Sequence, residues 1–315
     1  MTEQRLPAAY GGPAWSPRRS VARQEIGSVW SPCGVDCEWG RLGAVLLHSP
    51  GPELSASVDP DAVQMLAPVD PQRAREQHDD LVRAYGAAGV QVALVEPAAS
   101  PPPNLLFVAD LLFMTPEGAI VGRPASTVRA GEERWVARRL ADIGIPILRT
   151  VCGSGTFEGA DAFWARPDLV LLARGLRTND EGVRQVVRTF EELEVEVVTV
   201  QLPPGTMHLM GTVRVLDQDL AVARENAAPE AAIRTLERLG MRVATVPEGP
   251  EVSRGQALNV VVLGPRRILM PAGAPGTRAF FRELGVHCVE VEIDELAKAA
   301  GGIACMTGVL RRSQV

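Results

Sequence analysis

Five times along this 315-residue chain a helical stretch gives way to a short β run through the same small hinge of sequence. Ala88-Gly89-Val90 follows a helix expected over Pro71 to Ala87, and Ile143-Gly144-Ile145 follows one over Glu132 to Ala141. Leu193-Glu194-Val195 follows Glu181 to Glu192, Leu239-Gly240-Met241 follows Pro229 to Arg238, and Leu284-Gly285-Val286 follows Thr277 to Glu283. A spacing of roughly 45 to 55 residues lies in the range of internal repeats. One or two strands precede each helix: Leu169–Ala173 in the third unit, Thr212–Leu216 with Leu220–Ala223 in the fourth, and Leu258–Leu263 with Arg267–Met270 in the fifth. The chain therefore reads as five copies of strand–strand–helix–strand. One copy is too small to hold a core, so the five must close on one another. The expected fold class is α/β, a five-bladed β/α propeller whose inner loops converge on a central pocket. An open α/β sheet with coincidental spacing is the competing reading, and a period seen five times weighs against it.

Two segments follow. Residues 1–30, with Gly11-Gly12-Pro13, Pro17 and scattered arginines, lack periodicity and read as a loose arm. Residues 31–315 read as a single catalytic domain, with order beginning at Glu38 and a buried strand ending at His48.

Composition narrows the function. With 46% apolar residues the chain has enough material for a large core. A net charge of −6 argues against a nucleic-acid partner and against an anionic membrane surface. The longest apolar runs are strand-length, so no membrane span is expected. The first 23 residues are polar and Pro-rich, unlike a signal peptide. The five cysteines are an odd number, which disfavours a disulfide framework. Cys33 and Cys37 lack a second ligand pair for zinc, and no metal or cofactor is expected. These features suit a reducing, cytoplasmic setting. A homo-oligomer stays open.

The chemistry-bearing residues fall at equivalent places in the units. Asp110 ends Phe107-Val108-Ala109-Asp110 at the start of the second unit. Glu158 and Asp161 open the third, His208 and Met210 open the fourth, and Cys305 closes the fifth. In a closed ring these positions face one axis, gathering carboxylates, a histidine and a thiol. Small residues, Gly301, Gly302 and Ala304, leave the Cys305 sulfur approachable, and Arg311 and Arg312 favour its thiolate, the nucleophilic form. Plainer readings stand beside these: Asp110 and Asp161 as caps or turn residues, His208 bonded to a core carbonyl, Arg129 and Arg177 as surface charges, and His78 on a helix surface.

Taken in order, the motifs resemble the guanidine-modifying superfamily of arginine deiminases, dimethylargininases and amidinotransferases, the pentein fold, over Trp39 to Arg312. His48-Ser49-Pro50-Gly51-Pro52 is similar to the family's first strand and turn, and Gln77-His78-Asp79-Asp80 to its first-helix motif. Phe107–Asp110, Glu158-Gly159-Ala160-Asp161, Arg177-Thr178, Met207-His208-Leu209 and Gly301–Arg312 are similar to its site motifs.

The resemblance implies roles. Asp110 and Glu158 hold a guanidinium by paired hydrogen bonds, and Cys305 attacks its carbon. His208 protonates the leaving amine and then deprotonates water, by way of a covalent amidino-cysteine. Asp161 is placed among the substrate-binding groups, and Arg177 and Arg129 at positions whose arginines bind a substrate carboxylate. Met210 stands where many members carry an aspartate, which favours an N-substituted guanidine, since a thioether tolerates alkyl groups. The implied activity is a cysteine-dependent hydrolase of an arginine-like or N-substituted guanidino compound, giving a ureido product plus amine or ammonia. An amidinotransferase is the alternative within the superfamily. A catalytically dead propeller scaffold is the non-enzymatic one.

Overall fold

The computed structural model describes residues 6–55, 57, 59–253 and 256–314. Fifteen strands among them pair into five three-stranded sheets. The first sheet takes its middle strand β1 from Leu42–Leu47 and β2 from Gln91–Leu94, and β15, Gly308–Arg312, arrives from the far end of the chain. The second holds β3 (Leu112–Thr115), β4 (Gly118–Val121) and β5 (Ile147–Thr150). The third holds β6 (Ala162–Arg166), β7 (Leu169–Arg174) and β8 (Glu196–Gln201). The fourth holds β9 (Val213–Asp217), β10 (Leu220–Arg224) and β11 (Arg242–Val246). The fifth holds β12 (Val261–Gly264), β13 (Arg267–Pro271) and β14 (His287–Val291).

Every sheet has the same internal plan, an antiparallel pair followed by a parallel pair. The parallel pair needs a crossover, and one helix supplies it each time. These helices are α1 (Pro71–Ala87), α2 (Glu133–Asp142), α3 (Asp180–Glu192), α4 (Glu230–Arg238) and α5 (Pro275–Glu283). Asp70 caps α1 by accepting from the backbone of Gln72 at 2.9 Å, with Pro71 at its first position, and Asn179 caps α3 through Gly182 N at 2.8 Å. The hinges after the helices share one conformation. Gly89, Gly144, Gly240 and Gly285 are left-handed, with φ between 74° and 85°. Glu194 takes the same place in the third unit at φ 58°, where a side chain costs about 1 kcal/mol.

Neighbouring sheets touch in a cycle. β15 packs on β3, β3 on the turn Gly159–Asp161, and β6 on the turn Leu209–Gly211. β9 packs on β12, and β12 returns to β1. The middle strands are buried almost end to end, which explains why runs such as Leu169–Ala173 are continuously apolar. The strand after Cys305 is not a third element of the fifth unit. It pairs antiparallel with β1, Val45 opposite Val309, because the first unit carries only one strand ahead of its helix.

Residues 6–30 are mostly exposed, with two short turns at Ala8–Tyr10 and Ala22–Glu25; the first five residues of the expected arm lie outside the described residues. From Cys33 to Trp39 the chain enters the core. All five cysteines are unpaired. His78 is not a surface residue: it is buried on the inner face of α1, where burial pushes its ring down to about 4. None of the described helices is long and apolar enough to cross a membrane.

Candidate active site

A short helical turn precedes the first strand of four sheets. Val108–Asp110 leads into β3, Gly159–Asp161 into β6, Leu209–Gly211 into β9 and Ile303–Met306 into β15. These turns carry or adjoin Asp110, Glu158, His208 and Cys305, so one repeated device aims all four inward. The fifth sheet has no such turn, and the residue two before β12 is Asn259. Its Nδ2 donates to the Cys305 sulfur at 2.9 Å, and its Oδ1 accepts from Ala304 N at 2.7 Å and Cys305 N at 3.2 Å. Asn259 thus holds the Cys305 turn and the Cys305 sulfur together. Sequence reasoning passed over it, although the repeat offered the signal, since it occupies the fifth copy of a position already marked in the others.

Around His208 the carboxylates are layered. Its Nε2 lies 2.6 Å from Glu158 Oε2 and 3.8 Å from Asp110 Oδ1. Glu158 is fully buried behind the ring, and its other oxygen accepts from Ala125 N at 3.1 Å and meets Arg177 Nη1 at 3.4 Å. Asp161 lies deeper and does not line the cavity that was expected to bind substrate. Its oxygens accept from Thr178 Oγ1 at 2.7 Å and Leu209 N at 3.2 Å, so it fixes the turn that carries His208.

Arg129 is also placed differently from the expectation. It is buried, with Nη1 at 2.5 Å from Asp110 Oδ2 and Nε at 2.9 Å from Glu132. Nη2 is directed at Glu132 and at the carbonyls of Asn104 and Phe107. A buried guanidinium needs such anions and acceptors, and Arg129 also lines the narrow cavity beside Asp110. Its guanidinium lies beside two carboxylates, Asp110 at 2.5 Å and Glu158 at 3.6 Å. Arg177, at 12% side-chain exposure, stands nearer the rim.

Electrostatics follow from this packing. Burial works against a charged His208, but Asp110, the hydrogen bond to Glu158 and the charge of Asp161 outweigh it and push the ring up to about 9. Burial raises Glu158, yet His208, Arg129 and Arg177 prevail and hold it below the usual carboxylate range. Burial raises the Cys305 thiol, and Asp110 adds to the rise against the opposing bond from Asn259. Burial pushes Asp161 up to about 6 and Glu132 up to about 7. The packing thus favours the protonated His208 ring and disfavours the Cys305 thiolate.

Two cavities meet at the thiol. The narrow one is lined by Phe107, Asp110, Arg129, Arg177, His208 and Cys305. Asp110 Oδ1, buried and without a hydrogen-bond partner, belongs to this side. The wider one, about 370 Å3, shares Met207, His208, Ala300 and Cys305 with the first. Met210 lines the wider cavity and packs against the apolar cluster beside Cys305, and it is not among the residues lining the Asp110 cavity. Asp110, Glu158 and His208 also present ligand atoms within 4.8 Å of one another, a spacing that suits a metal ion. Arg129 already touches both carboxylates, and the ring nitrogen facing them is bonded to Glu158, so organic cations meet the charge requirement there.

No family model matches the chain. It is 32% identical over 243 residues to N(G),N(G)-dimethylarginine dimethylaminohydrolase of Streptomyces coelicolor, covering 77% of this chain and 88% of that protein. A crystal structure of a dimethylarginine dimethylaminohydrolase adduct with 4-chloro-2-hydroxymethylpyridine superposes with a TM-score of 0.70 at 26% identity, over 84% of this chain and 98% of the other. The N-terminal domain of a cyanobacterial arginine dihydrolase shares the fold with a TM-score of 0.74 at 21% identity, over 86% and 99%. The cyclic plan of five sheets, the inward-facing thiol, imidazole and carboxylates, and these relationships lead to one conclusion: the chain belongs to the dimethylarginine dimethylaminohydrolase family of the guanidine-modifying pentein superfamily.

Proposed function

We propose that this protein is a cysteine-dependent hydrolase of the guanidine carbon in an arginine-like or N-substituted guanidino compound, built on a five-bladed β/α propeller. The observation that carries the reading is the shared cavity. The Cys305 sulfur and the His208 ring share this cavity with Asp110, whose Oδ1 is buried without a hydrogen-bond partner. A guanidinium is planar and cationic, and its N–H groups match an unpartnered carboxylate oxygen. Relatives named for dimethylarginine hydrolysis support the same reaction class.

The roles follow the geometry. Asp110 accepts from the guanidinium through one oxygen, while Arg129 Nη1 donates to the other. The cationic substrate, placed beside Cys305, favours thiolate over thiol and offsets the effect of burial. Sulfur attacks the carbon, and His208, held by Glu158, protonates the departing nitrogen. Water then adds, gives its proton to His208, and the carbon–sulfur bond breaks to leave a ureido product. Arg177 at the rim is the cation for an anionic substrate tail. A reducing, cytoplasmic setting suits the five free thiols. The test is a panel of arginine, its N-methylated derivatives and simpler guanidines, with ureido product and released amine both quantified. Stoichiometric formation of the two supports the reading, and absence of both for every guanidine overturns it.

A further inference from the structure

The proposed chemistry uses the narrow cavity and leaves the wider one unassigned. The two are walled differently. Asp110, Arg129 and Arg177 line only the narrow side, while Met210, Asn226, Ser253 and Gln256 line only the wide side. Cys305 and His208 stand at the junction. A guanidinium whose N–H groups face Asp110 therefore turns another nitrogen toward the wide side. His208, which reaches both cavities, is the group that protonates a leaving nitrogen.

We propose that the wide cavity binds the amine half of the reaction, and that it accepts amines considerably larger than methylamine or dimethylamine. This rests on the guanidine-hydrolase reading and specifies its substrates. A volume of about 370 Å3 exceeds the need of a one- or two-carbon amine. Its walls are methionines, prolines and neutral polar groups, and no carboxylate lines it among the described residues. Among the described residues the one arginine on its wall, Arg224, is engaged by Glu248 through two bonds of 2.9 Å. Such walls suit a monoamine with a neutral, partly apolar tail and offer nothing to the second charge of a diamine. The bond changes balance: sulfur bonds to the guanidine carbon, the carbon–nitrogen bond to the substituted nitrogen breaks with its electron pair on nitrogen, and His208 supplies the proton. The amine leaves through the wide cavity. A second amine entering there in place of water, and giving its proton to His208, would take the amidino group instead.

The experiment is a series of ω-N-substituted arginines bearing methyl, butyl, benzyl and aminobutyl groups, with citrulline and released amine both measured. The expected result is a kcat/KM for butyl and benzyl at least equal to that for methyl, and roughly tenfold lower for aminobutyl. In Ser253→Trp the benzyl-to-methyl ratio should fall roughly tenfold. Turnover of the methyl compound with steep loss at butyl and benzyl in the unaltered protein would overturn the wide cavity's role and leave the hydrolase reading standing. No turnover of any member would overturn the wide cavity's role, and no turnover of arginine and simpler guanidines as well would overturn both. The series on the unaltered protein decides the matter even where Ser253→Trp fails to fold.

Discussion

His208 Nε2 and Glu158 Oε2 are 2.6 Å apart, and both groups are buried. Each shifts the other's ionisation in the direction that keeps the pair charged. In the proposed reaction this would couple the proton on His208 to a carboxylate that does not line the narrow cavity with Asp110.

Replacing Glu158 by Gln keeps the shape and removes the charge. The imidazole should then lose its protonated state at a lower pH, moving the corresponding limb of the kcat profile toward acid. His208→Ala should reduce turnover by about 10²–10⁴-fold. Steady-state kinetics across pH measure both. A variant His208→Ala within a few-fold of wild type would remove the imidazole from the reaction.

Stability should depend on pH through the same pair. A histidine raised from its ordinary 6.5 to about 9 contributes fully below 6.5, and its contribution is lost as pH rises through 9. A carboxylate held below its ordinary 4.5 contributes above 4.5, and its contribution is lost as pH falls. The pair is fully effective between 4.5 and 6.5. Thermal unfolding followed from pH 4 to 10 should show this window, and the His208→Ala variant should flatten the alkaline decline.

The repeat made the architecture legible before any coordinates. Five hinges marked the five helices to within a few residues, because the left-handed residue ending each helix leaves a local signature. Four glycines carried it openly, while Glu194 carried it without one. The first sheet was less legible. Its third strand comes from the opposite end of the chain, and nothing local in Gly308–Arg312 names β1 as its partner. The site was legible where a residue type announces chemistry, as with Cys305, His208 and Asp110. It was not legible where role depends on direction. Arg129 and Arg177 look alike in sequence, and only burial separates the buried counter-ion from the rim residue. Asn259 is a neutral amide with no motif of its own, and only its 2.9 Å contact with sulfur distinguishes it.

Asn259→Ala removes that contact. The Cys305 thiol should ionise at higher pH, and alkylation by iodoacetamide at pH 8 should slow by about threefold to tenfold, the worth of one hydrogen bond. An unchanged rate would show that the amide holds only the backbone turn.

Met210 lines the wide cavity with Cys305, while Asp110 lines the narrow one. A substituted guanidine should exceed plain arginine in kcat/KM, and Met210→Asp should narrow or invert that ratio by roughly tenfold, since a carboxylate there favours N–H donors over alkyl groups. An unchanged ratio would show that the thioether does not touch the reacting group.

The central claim is a covalent bond between the Cys305 sulfur and a guanidine carbon. The measurement is acid quench during turnover of a guanidino substrate, followed by intact mass and peptide mapping. The account predicts an added amidino-type mass on the peptide containing Cys305, absent from Cys305→Ser, which should be folded and inactive. Turnover by Cys305→Ser at near the wild-type rate, or a modification mapping to another residue, would contradict it.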